Sequence, residues 1–276
     1  MRLSELGELG LLAELERRNL AEQIENDAAE LEPGLVVTQD SLVEGVHFRL
    51  DWLSWRELGF RAAAVNISDL AASGARPEAL LVSLGLPGET ELDDVLELYA
   101  GIGEAGVPVR GGDISEAASV FVAVTALGRA ERVPGRSGAR PGDALVVTGP
   151  VGAAGAAFRE QRYVRPPLRV AEGIELARHA HAMVDLSDGL ARDAGHIAER
   201  SGCRLVIELE QVPLARAATH EDLAFGEDYE LLAATEDPLD FAVIGRCEAG
   251  AGVEIRFGGQ PVALSGWEHF RLRKAR

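Results

Sequence analysis

The chain has 276 residues, 47% of them hydrophobic and 26% charged, and its formal net charge is −18. We expect a soluble protein of one large or two ordinary domains, and the acidic balance argues against nucleic acid or an anionic membrane as its main partner. The two cysteines lack the spacing of a zinc site or a disulfide framework, which favours a reducing cytoplasm as its location.

Helical and strand patterns alternate along the chain and predict an α/β or α+β fold. The first residues predict an acidic amphipathic helix, and they lack the basic start and the apolar stretch of a signal peptide. The clearest helix begins after Ser54, whose spacing from Glu57 is that of a capping box, and ends near Gly74. It carries Asn66 and Asp69 on one face.

One further helix is predicted over residues 91–105 and another from the Asp-Leu-Ser-Asp-Gly segment to Ser201. Short apolar runs predict strands at 35–38, 79–86, 107–109, 120–127, 144–148, 183–186, 204–209, 230–234, 242–247 and 253–257. Turn residues without an apolar period fill residues 136–143, and we place a domain boundary there. The sequence thus predicts an N-terminal domain over residues 1–135 and a C-terminal α/β domain over residues 136–276.

The chain contains a single lysine, Lys274, close to its C-terminus. Enzymes that handle phosphates normally hold them with a lysine, as P-loop proteins do, and Schiff-base enzymes need a lysine in the active site. If this protein acts on phosphates, arginines or metal ions must therefore supply the positive charge.

Aspartates recur where apolar runs end and where helices begin. A lone aspartate in such a place is best explained as a turn or cap residue. Six of them, distributed over several elements, favour another interpretation, because Mg²⁺ binds through a few carboxylates together with the phosphates of a substrate. We therefore predict metal-assisted phosphate chemistry, and the candidate carboxylates are Asp27, Asp40, Asp69, Asp113, Asp185 and Asp188.

Other motifs give weaker evidence of function than the aspartates do. The segment 149–155 is glycine-rich like a phosphate loop, but it lacks the lysine, and we predict a tight turn between a strand and a helix. No Gly-x-Ser-x-Gly nucleophile motif occurs, and His179 and His181 are predicted to lie on a helix at the surface. His47 follows the loop after Asp40 and is a candidate site residue.

Seven segments in a fixed order resemble one family of enzymes. They are Thr-Gln-Asp-Ser-Leu-Val-Glu-Gly-Val-His-Phe at 38–48, Ala-Val-Asn-Ile-Ser-Asp-Leu-Ala-Ala at 64–72, Gly-Gly-Asp at 111–113, Gly-Arg-Ser-Gly-Ala-Arg-Pro-Gly-Asp at 135–143, Asp-Leu-Ser-Asp-Gly-Leu at 185–190, Gly-Glu-Asp-Tyr-Glu-Leu at 226–231 and Gly-Trp-Glu-His-Phe at 266–270. Together they cover nearly the whole chain. They resemble thiamine-monophosphate kinase, of the superfamily that includes aminoimidazole ribonucleotide synthetase and selenophosphate synthetase.

The resemblance implies that ATP and thiamine monophosphate react to give ADP and thiamine diphosphate, with the help of several Mg²⁺ ions. It also implies a two-domain fold in which the N-terminal sheet forms the core of a homodimer and the C-terminal domain closes over ATP. By matched position, it implies metal ligands at Asp27, Thr38, Gln39, Asp40, Asp69, Asp113, Asp185 and Asp188. It likewise implies ATP contacts at Gly112, Asp113, Arg136 and Ser187, and thiamine contacts at His47, Glu227 and Trp267.

Two alternatives to this function stay open. Asn26 stands where the family has a carboxylate, and Gln39 stands where it has a threonine, so the chain is compatible with a divergent paralogue that binds nucleotide or metal with little or no turnover. The other alternative is a different ATP-dependent synthetase of the superfamily. A selenophosphate synthetase is disfavoured because it needs a reactive N-terminal cysteine, whereas the first cysteine of this chain is Cys203.

Overall fold

The computed structural model describes residues 2–23 and 26–267, which form two β-sheets with helices packed against them. Lys274 and the last residues of the Gly-Trp-Glu-His-Phe segment lie outside the described residues. The helices are α1 (Leu3–Arg17), α2 (Trp55–Ala72), α3 (Leu92–Gly103), α4 (Ala153–Arg159), α5 (Val170–Ala177) and α6 (Leu190–Ser201). The described part of the chain contains no helix with the length and apolar character needed to span a bilayer.

Five strands form the first sheet, in the order β1-β2-β5-β3-β4. They are β1 (Ala29–Glu32), β2 (Leu35–Val43), β3 (Ala75–Leu86), β4 (Val109–Glu116) and β5 (Phe121–Ala130). The central strand β5 pairs antiparallel with β2 and β3, and β4 runs parallel to β3 at one edge. Every second residue of β5 is buried, as in Val122 and Val124, because one face of the sheet is covered by α2.

Seven strands form the second sheet, in the order β12-β11-β8-β10-β6-β9-β7. They are β6 (Ala144–Val147), β7 (Ala180–Asp185), β8 (Arg204–Glu208), β9 (Leu231–Thr235), β10 (Ala242–Glu248), β11 (Gly252–Phe257) and β12 (Gln260–Val262). Two sheets with flanking helices confirm the predicted mixed α/β class.

Helix α2 connects the two sheets. Its predicted capping box is present: Glu57 N donates to Ser54 Oγ at 3.3 Å, and Ser54 N donates to Glu57 Oε2 at 2.7 Å. Every residue from Leu58 to Ala72 is buried, because α2 contacts the first sheet, α3, α5 and strand β7. Polar side chains at the centre of the molecule need partners. Those on α2 are Arg61, Asn66, Ser68 and Asp69.

Some predicted elements were wrong in place or type. The strand predicted at 107–109 runs instead from Val109 to Glu116 and contains the Gly-Gly-Asp motif. Gly112 has φ +150°, and a Cβ there would lie 1.7 Å from Val82 O, so its glycine is required by the close approach of β3. His181 lies on strand β7 and not on a helix, and its Nδ1 lies 3.0 Å from the Asp143 carboxylate. Strands β1 and β12 were not predicted, and no bounds were predicted for α4 and α5.

Candidate active site

Three aspartates from distant parts of the chain meet between the two sheets. Asp27 precedes β1, Asp69 lies near the end of α2, and Asp185 is the last residue of β7. Each offers a carboxylate oxygen, and these oxygens lie within 4.8 Å of one another. Asp69 and Asp185 are 9% and 1% exposed, so the cluster is buried. They converge because α2 packs directly against β7.

Short hydrogen bonds hold these carboxylates in place. Thr38 Oγ1 donates to Asp69 Oδ2 at 2.6 Å and to the backbone oxygen of Asp27 at 3.1 Å. Ser68 Oγ donates to Asp185 Oδ2 at 2.6 Å. Neutral hydroxyl donors orient a carboxylate without cancelling its charge. The negative charge of the cluster is therefore removed either by the uptake of protons or by a bound cation.

One arginine reaches the cluster, where Arg136 Nη2 donates to Asp27 Oδ1. It does not neutralise the site. Burial, followed by the charge of Asp27, raises the pKa of Asp185 to about 8. Burial, followed by the charges of Asp40 and Asp185, raises the pKa of Asp69 well above its ordinary value. Several buried carboxylate oxygens with an excess of negative charge form the donor set that suits Mg²⁺, a hard cation that prefers oxygen.

Comparison with known proteins gives the family. Residues 25–130 match the family described as AIR synthase related protein, N-terminal domain, and residues 140–257 match its C-terminal domain. The chain is 34% identical to thiamine-monophosphate kinase of Aquifex aeolicus, with 98% of this chain and 100% of that protein covered. The chain belongs to the thiamine-monophosphate kinase family. The family predicted from the motifs is thus confirmed.

Further relatives agree with this membership. The chain is 33% identical to thiamine-monophosphate kinase of Pyrococcus abyssi, with 85% of this chain and 86% of that protein covered. Among solved structures, AaThiL complexed with AMPPCP and TMP matches with a TM-score of 0.88 at 34% identity, covering 98% of this chain and 99% of that one. The two-domain fold and the predicted family therefore agree over nearly the whole length.

The residues of β2 divide between the two faces of the strand. Thr38 faces Asp69, whereas the Oε1 atom of Gln39 accepts a hydrogen bond from Thr125 Oγ1 at 2.8 Å. The structure therefore does not bring the Gln39 side chain to the carboxylate cluster. Asp40 is exposed, and its backbone N donates to Asn66 Oδ1 at 2.9 Å. Asn66 thereby fixes β2 to α2 beside the cluster.

Asp188 belongs to a neighbouring group at the start of α6. One ligand atom of each of Asp188, Asp193 and His196 lies within 4.8 Å of the others. Asp193 Oδ2 accepts hydrogen bonds from Asp188 N at 3.0 Å and Gly189 N at 3.1 Å. Burial, followed by the charge of Arg136, lowers the pKa of His196 to about 3, so the imidazole is neutral. Sequence reasoning missed Asp193 and His196, whose three-residue spacing on one helix face was the available signal.

Two of the three predicted thiamine contacts lie against this same loop. Glu227 N donates to Ser187 O at 2.8 Å, and Trp267 N donates to Asp188 O at 2.8 Å. His47 is held within its own turn, since its Nδ1 accepts a hydrogen bond from Val43 N at 3.0 Å. Glu227 and Trp267 thus both contact the segment from 185 to 188.

Gly112 and Asp113 lie apart from the cluster. They are on the exposed edge strand β4, where Ser115 Oγ lies 3.3 Å from Asp113 Oδ2. The group of three carboxylates described above does not include Asp113. Within the described part of this single chain, the structure does not unite all the predicted ligands.

The glycine-rich segment after β6 is not a phosphate site. Asp228 accepts hydrogen bonds from Gly152 N at 2.7 Å and from Ala154 N at 3.2 Å. These are the N–H groups at the start of α4 that an anion would otherwise use. The predicted tight turn between a strand and a helix is confirmed.

Two surface cavities lie elsewhere. One, of about 700 Å³, is lined by Asp143 and Arg246, and the other, of about 550 Å³, by Arg76 and Arg132. Neither is lined by a member of the carboxylate cluster. The candidate site is therefore identified by the convergence of buried charges and not by a cavity.

Proposed function

We propose that this protein transfers the γ-phosphate of ATP to thiamine monophosphate and so forms thiamine diphosphate and ADP. The observation that carries this proposal is the convergence of Asp27, Asp69 and Asp185, contributed by both halves of the chain, into one buried anionic cluster. The relatives from Aquifex aeolicus and Pyrococcus abyssi, named thiamine-monophosphate kinases, support it. So does the solved relative complexed with AMPPCP and TMP.

The cluster supplies what phosphoryl transfer requires from a protein, which is positioning and the control of charge. Asp27, Asp69 and Asp185 would hold Mg²⁺, with Asp40 and Asp188 at the borders of the cluster. When bound, Mg²⁺ neutralises the phosphate oxygens of the two substrates. The hydroxyl groups that bond to Asp69 and Asp185 keep the carboxylates oriented while the charges change.

The acceptor needs orientation more than it needs a base. The second pKa of a phosphate monoester is about 6, so the phosphate of thiamine monophosphate is largely ionised near neutral pH. Its oxygen can attack the γ-phosphorus directly and in line, without a phospho-enzyme. His47 Nδ1 already accepts the Val43 N–H, which places the proton of the neutral imidazole on Nε2 and suits His47 to donate to a substrate.

Arg136 would hold phosphate oxygens of ATP. It reaches the cluster from the segment between the two sheets, and its guanidinium can form a bidentate fork with phosphate. Ser187, two residues after Asp185, would contact the same nucleotide. Gly112 and Asp113 are further candidate contacts to ATP, presented by β4.

We propose a homodimer that pairs through β4. Seven of its eight residues are exposed, and Ile114 is 63% exposed. An exposed edge strand presents unpaired N–H and C=O groups, and a second copy of the strand would cover them. We place the domain boundary between residues 135 and 136. Strand β4 then belongs to the N-terminal domain, and the C-terminal domain is assigned to residues 136–276. The free, buried cysteines support a reducing compartment, the cytoplasm.

The test is direct. Purified protein is incubated with ATP, Mg²⁺ and thiamine monophosphate, and thiamine diphosphate and ADP are measured by chromatography. Equal formation of the two products is expected. Tight binding of ATP without either product would instead indicate the divergent paralogue. Selenophosphate synthesis lacks support because burial raises the pKa of both Cys203 and Cys247, which leaves no reactive thiol among the described cysteines.

A further inference from the structure

Helix α2 carries a buried arginine whose donors are not satisfied. Arg61 is 2% exposed and lies eight residues before Asp69. Its Nη2 atom is 2.5 Å from Glu227 Oε1 but is not aligned for a hydrogen bond. Neither Nη2 nor Nε has a hydrogen-bond partner within the described residues. A buried charge with open donors costs stability, and a group of this kind needs an explanation.

The aromatic neighbours of Arg61 hold the guanidinium without using its donors. Arg61 Cζ lies 5.0 Å from the centre of the Tyr163 ring, and the Tyr163 ring lies 5.8 Å from that of Trp52. An aromatic face attracts a cation but does not take part in an in-plane hydrogen bond with its N–H groups. The guanidinium is therefore positioned while Nε and Nη2 make no hydrogen bond, and Nη2 is in ion-pair contact with Glu227.

Arg61 is near both the carboxylate cluster and a predicted thiamine contact. Ser68 lies two helical turns, or about 10 Å, further along the same face of α2, and it donates to Asp185. Glu227 contacts Arg61 directly. The buried side chain of Tyr229 is close enough to both groups that the charges of Arg61, Glu227 and Asp185 all act on it. An extended substrate with a phosphate at the cluster and a ring system at Glu227 would pass Arg61.

We propose that Arg61 binds the phosphate group of thiamine monophosphate, which is the acceptor in the transfer. This inference rests on the proposed function. Phosphate oxygens match the fork of a guanidinium and would satisfy the two open donors. The positive charge of the thiamine moiety would meet Glu227, so the ion pair between Arg61 and Glu227 would be replaced by two contacts with the substrate. Arg136, which lies beside Asp27, is the candidate contact for the phosphates of ATP and not for the acceptor.

The experiment compares a ligand that has the phosphate with one that lacks it. Thiamine monophosphate and thiamine are each titrated into the full-length protein by calorimetry, in the presence of Mg²⁺ and a non-hydrolysable ATP analogue. Arg61→Met should weaken the binding of thiamine monophosphate by about 10- to 100-fold, the range of a lost hydrogen bond to a charged group. It should change the binding of thiamine by less than about twofold. Arg61→Lys should restore part of the loss, because the ammonium keeps the charge but lacks the fork.

Arg56→Met is the matched control on the same helix. Arg56 is exposed and pairs with Glu97 and Glu104, so its loss should leave the affinity for both ligands unchanged. An equal loss of affinity for both ligands in Arg61→Met would mean that Arg61 only positions Glu227, and it would overturn the proposal. Unchanged affinity for thiamine monophosphate would overturn it as well.

Two further outcomes separate this inference from the proposed function. If the wild-type protein neither binds thiamine monophosphate nor forms thiamine diphosphate, both fail together. If the wild type is active and Arg61→Met binds normally, only the role of Arg61 fails. Should Arg61→Met not fold by circular dichroism, Arg61→Lys decides the question. For Arg61→Lys, the affinity for thiamine monophosphate is divided by the affinity for thiamine. A ratio at least about threefold lower than in the wild type supports the proposal, and an unchanged ratio overturns it.

Discussion

Replacing Asp185 with asparagine should stabilise the metal-free protein above neutral pH. Asp185 is 1% exposed, and its carboxylate lies within 4.8 Å of those of Asp27 and Asp69. Asparagine has nearly the same shape and keeps an oxygen that can accept from Ser68 Oγ, now 2.6 Å away. The substitution therefore removes one buried charge and leaves the packing of β7 in place.

The magnitude follows from the distances and the pKa. Two like charges separated by 4.8 Å repel by about 3 kcal/mol at an effective dielectric constant of about 20. The variant no longer carries the cost of burying the Asp185 charge or its repulsion from Asp27, and it also loses the attraction to Arg136. The pKa of Asp185 is raised from 3.8 to about 8, so folding takes up a proton between these values. We expect Asp185→Asn to gain about 3 kcal/mol above pH 8, and the gain should vanish near pH 4.

Urea unfolding in the presence of EDTA, at several pH values across this window, measures the difference. Added Mg²⁺ should stabilise the wild type more than the variant, because the variant has lost a ligand. Asp240→Asn, at an exposed position, is the control and should show neither effect. A variant that is no more stable than the wild type above pH 8, or a gain that is the same near pH 4, would refute the reasoning.

Three other outcomes are expected. Asp69→Asn should keep its fold by circular dichroism and lower kcat by about 100-fold or more at fixed Mg²⁺, since a ligand that neutralises the transferred phosphate is lost. The His196 ring should show no titration by NMR from about pH 5 to 8, because its pKa is about 3. Ile114→Glu should halve the mass measured by light scattering, because it places a charge on the proposed edge contact.

Each of these three expectations can be contradicted by its own measurement. Wild-type turnover by Asp69→Asn would remove the cluster from the chemistry, and Asp240→Asn serves again as its control. A His196 signal that titrates near pH 6 would show that the ring is not buried as described. A protein that is monomeric before the change, or dimeric after Ile114→Glu, would rule out β4 as the contact.

The sequence predicted the parts of the site that depend on local pattern. The capping box of Ser54, the end of α2 near Gly74 and the three-residue spacing of Asn66 and Asp69 depend on neighbours within a turn or two of helix. The same holds for the strand predicted at 183–186, observed as β7 (Ala180–Asp185), and for the helix predicted after the Asp-Leu-Ser-Asp-Gly segment. The order of the motifs identified the family, because several segments in one fixed order are far more specific than any single segment.

The tertiary structure decided what these parts do together. Asp27, Asp69 and Asp185 are distant in sequence, and only the packing of α2 against β7 sets their separation. Register assigned Thr38 to the cluster and Gln39 to the opposite face of β2, since neighbouring residues of a strand point to opposite sides.

Burial and long-range contact also determine the charges. A free aspartate and Asp185 have the same side chain, yet the pKa of Asp185 is about 8 because desolvation and the charge of Asp27 both disfavour ionisation. The contact of Arg61 with Glu227 joins α2 to a loop of the second half of the chain. Local sequence determines which residues can bond and on which face they lie. The distances and the dielectric environment that set their chemistry arise only when distant segments pack.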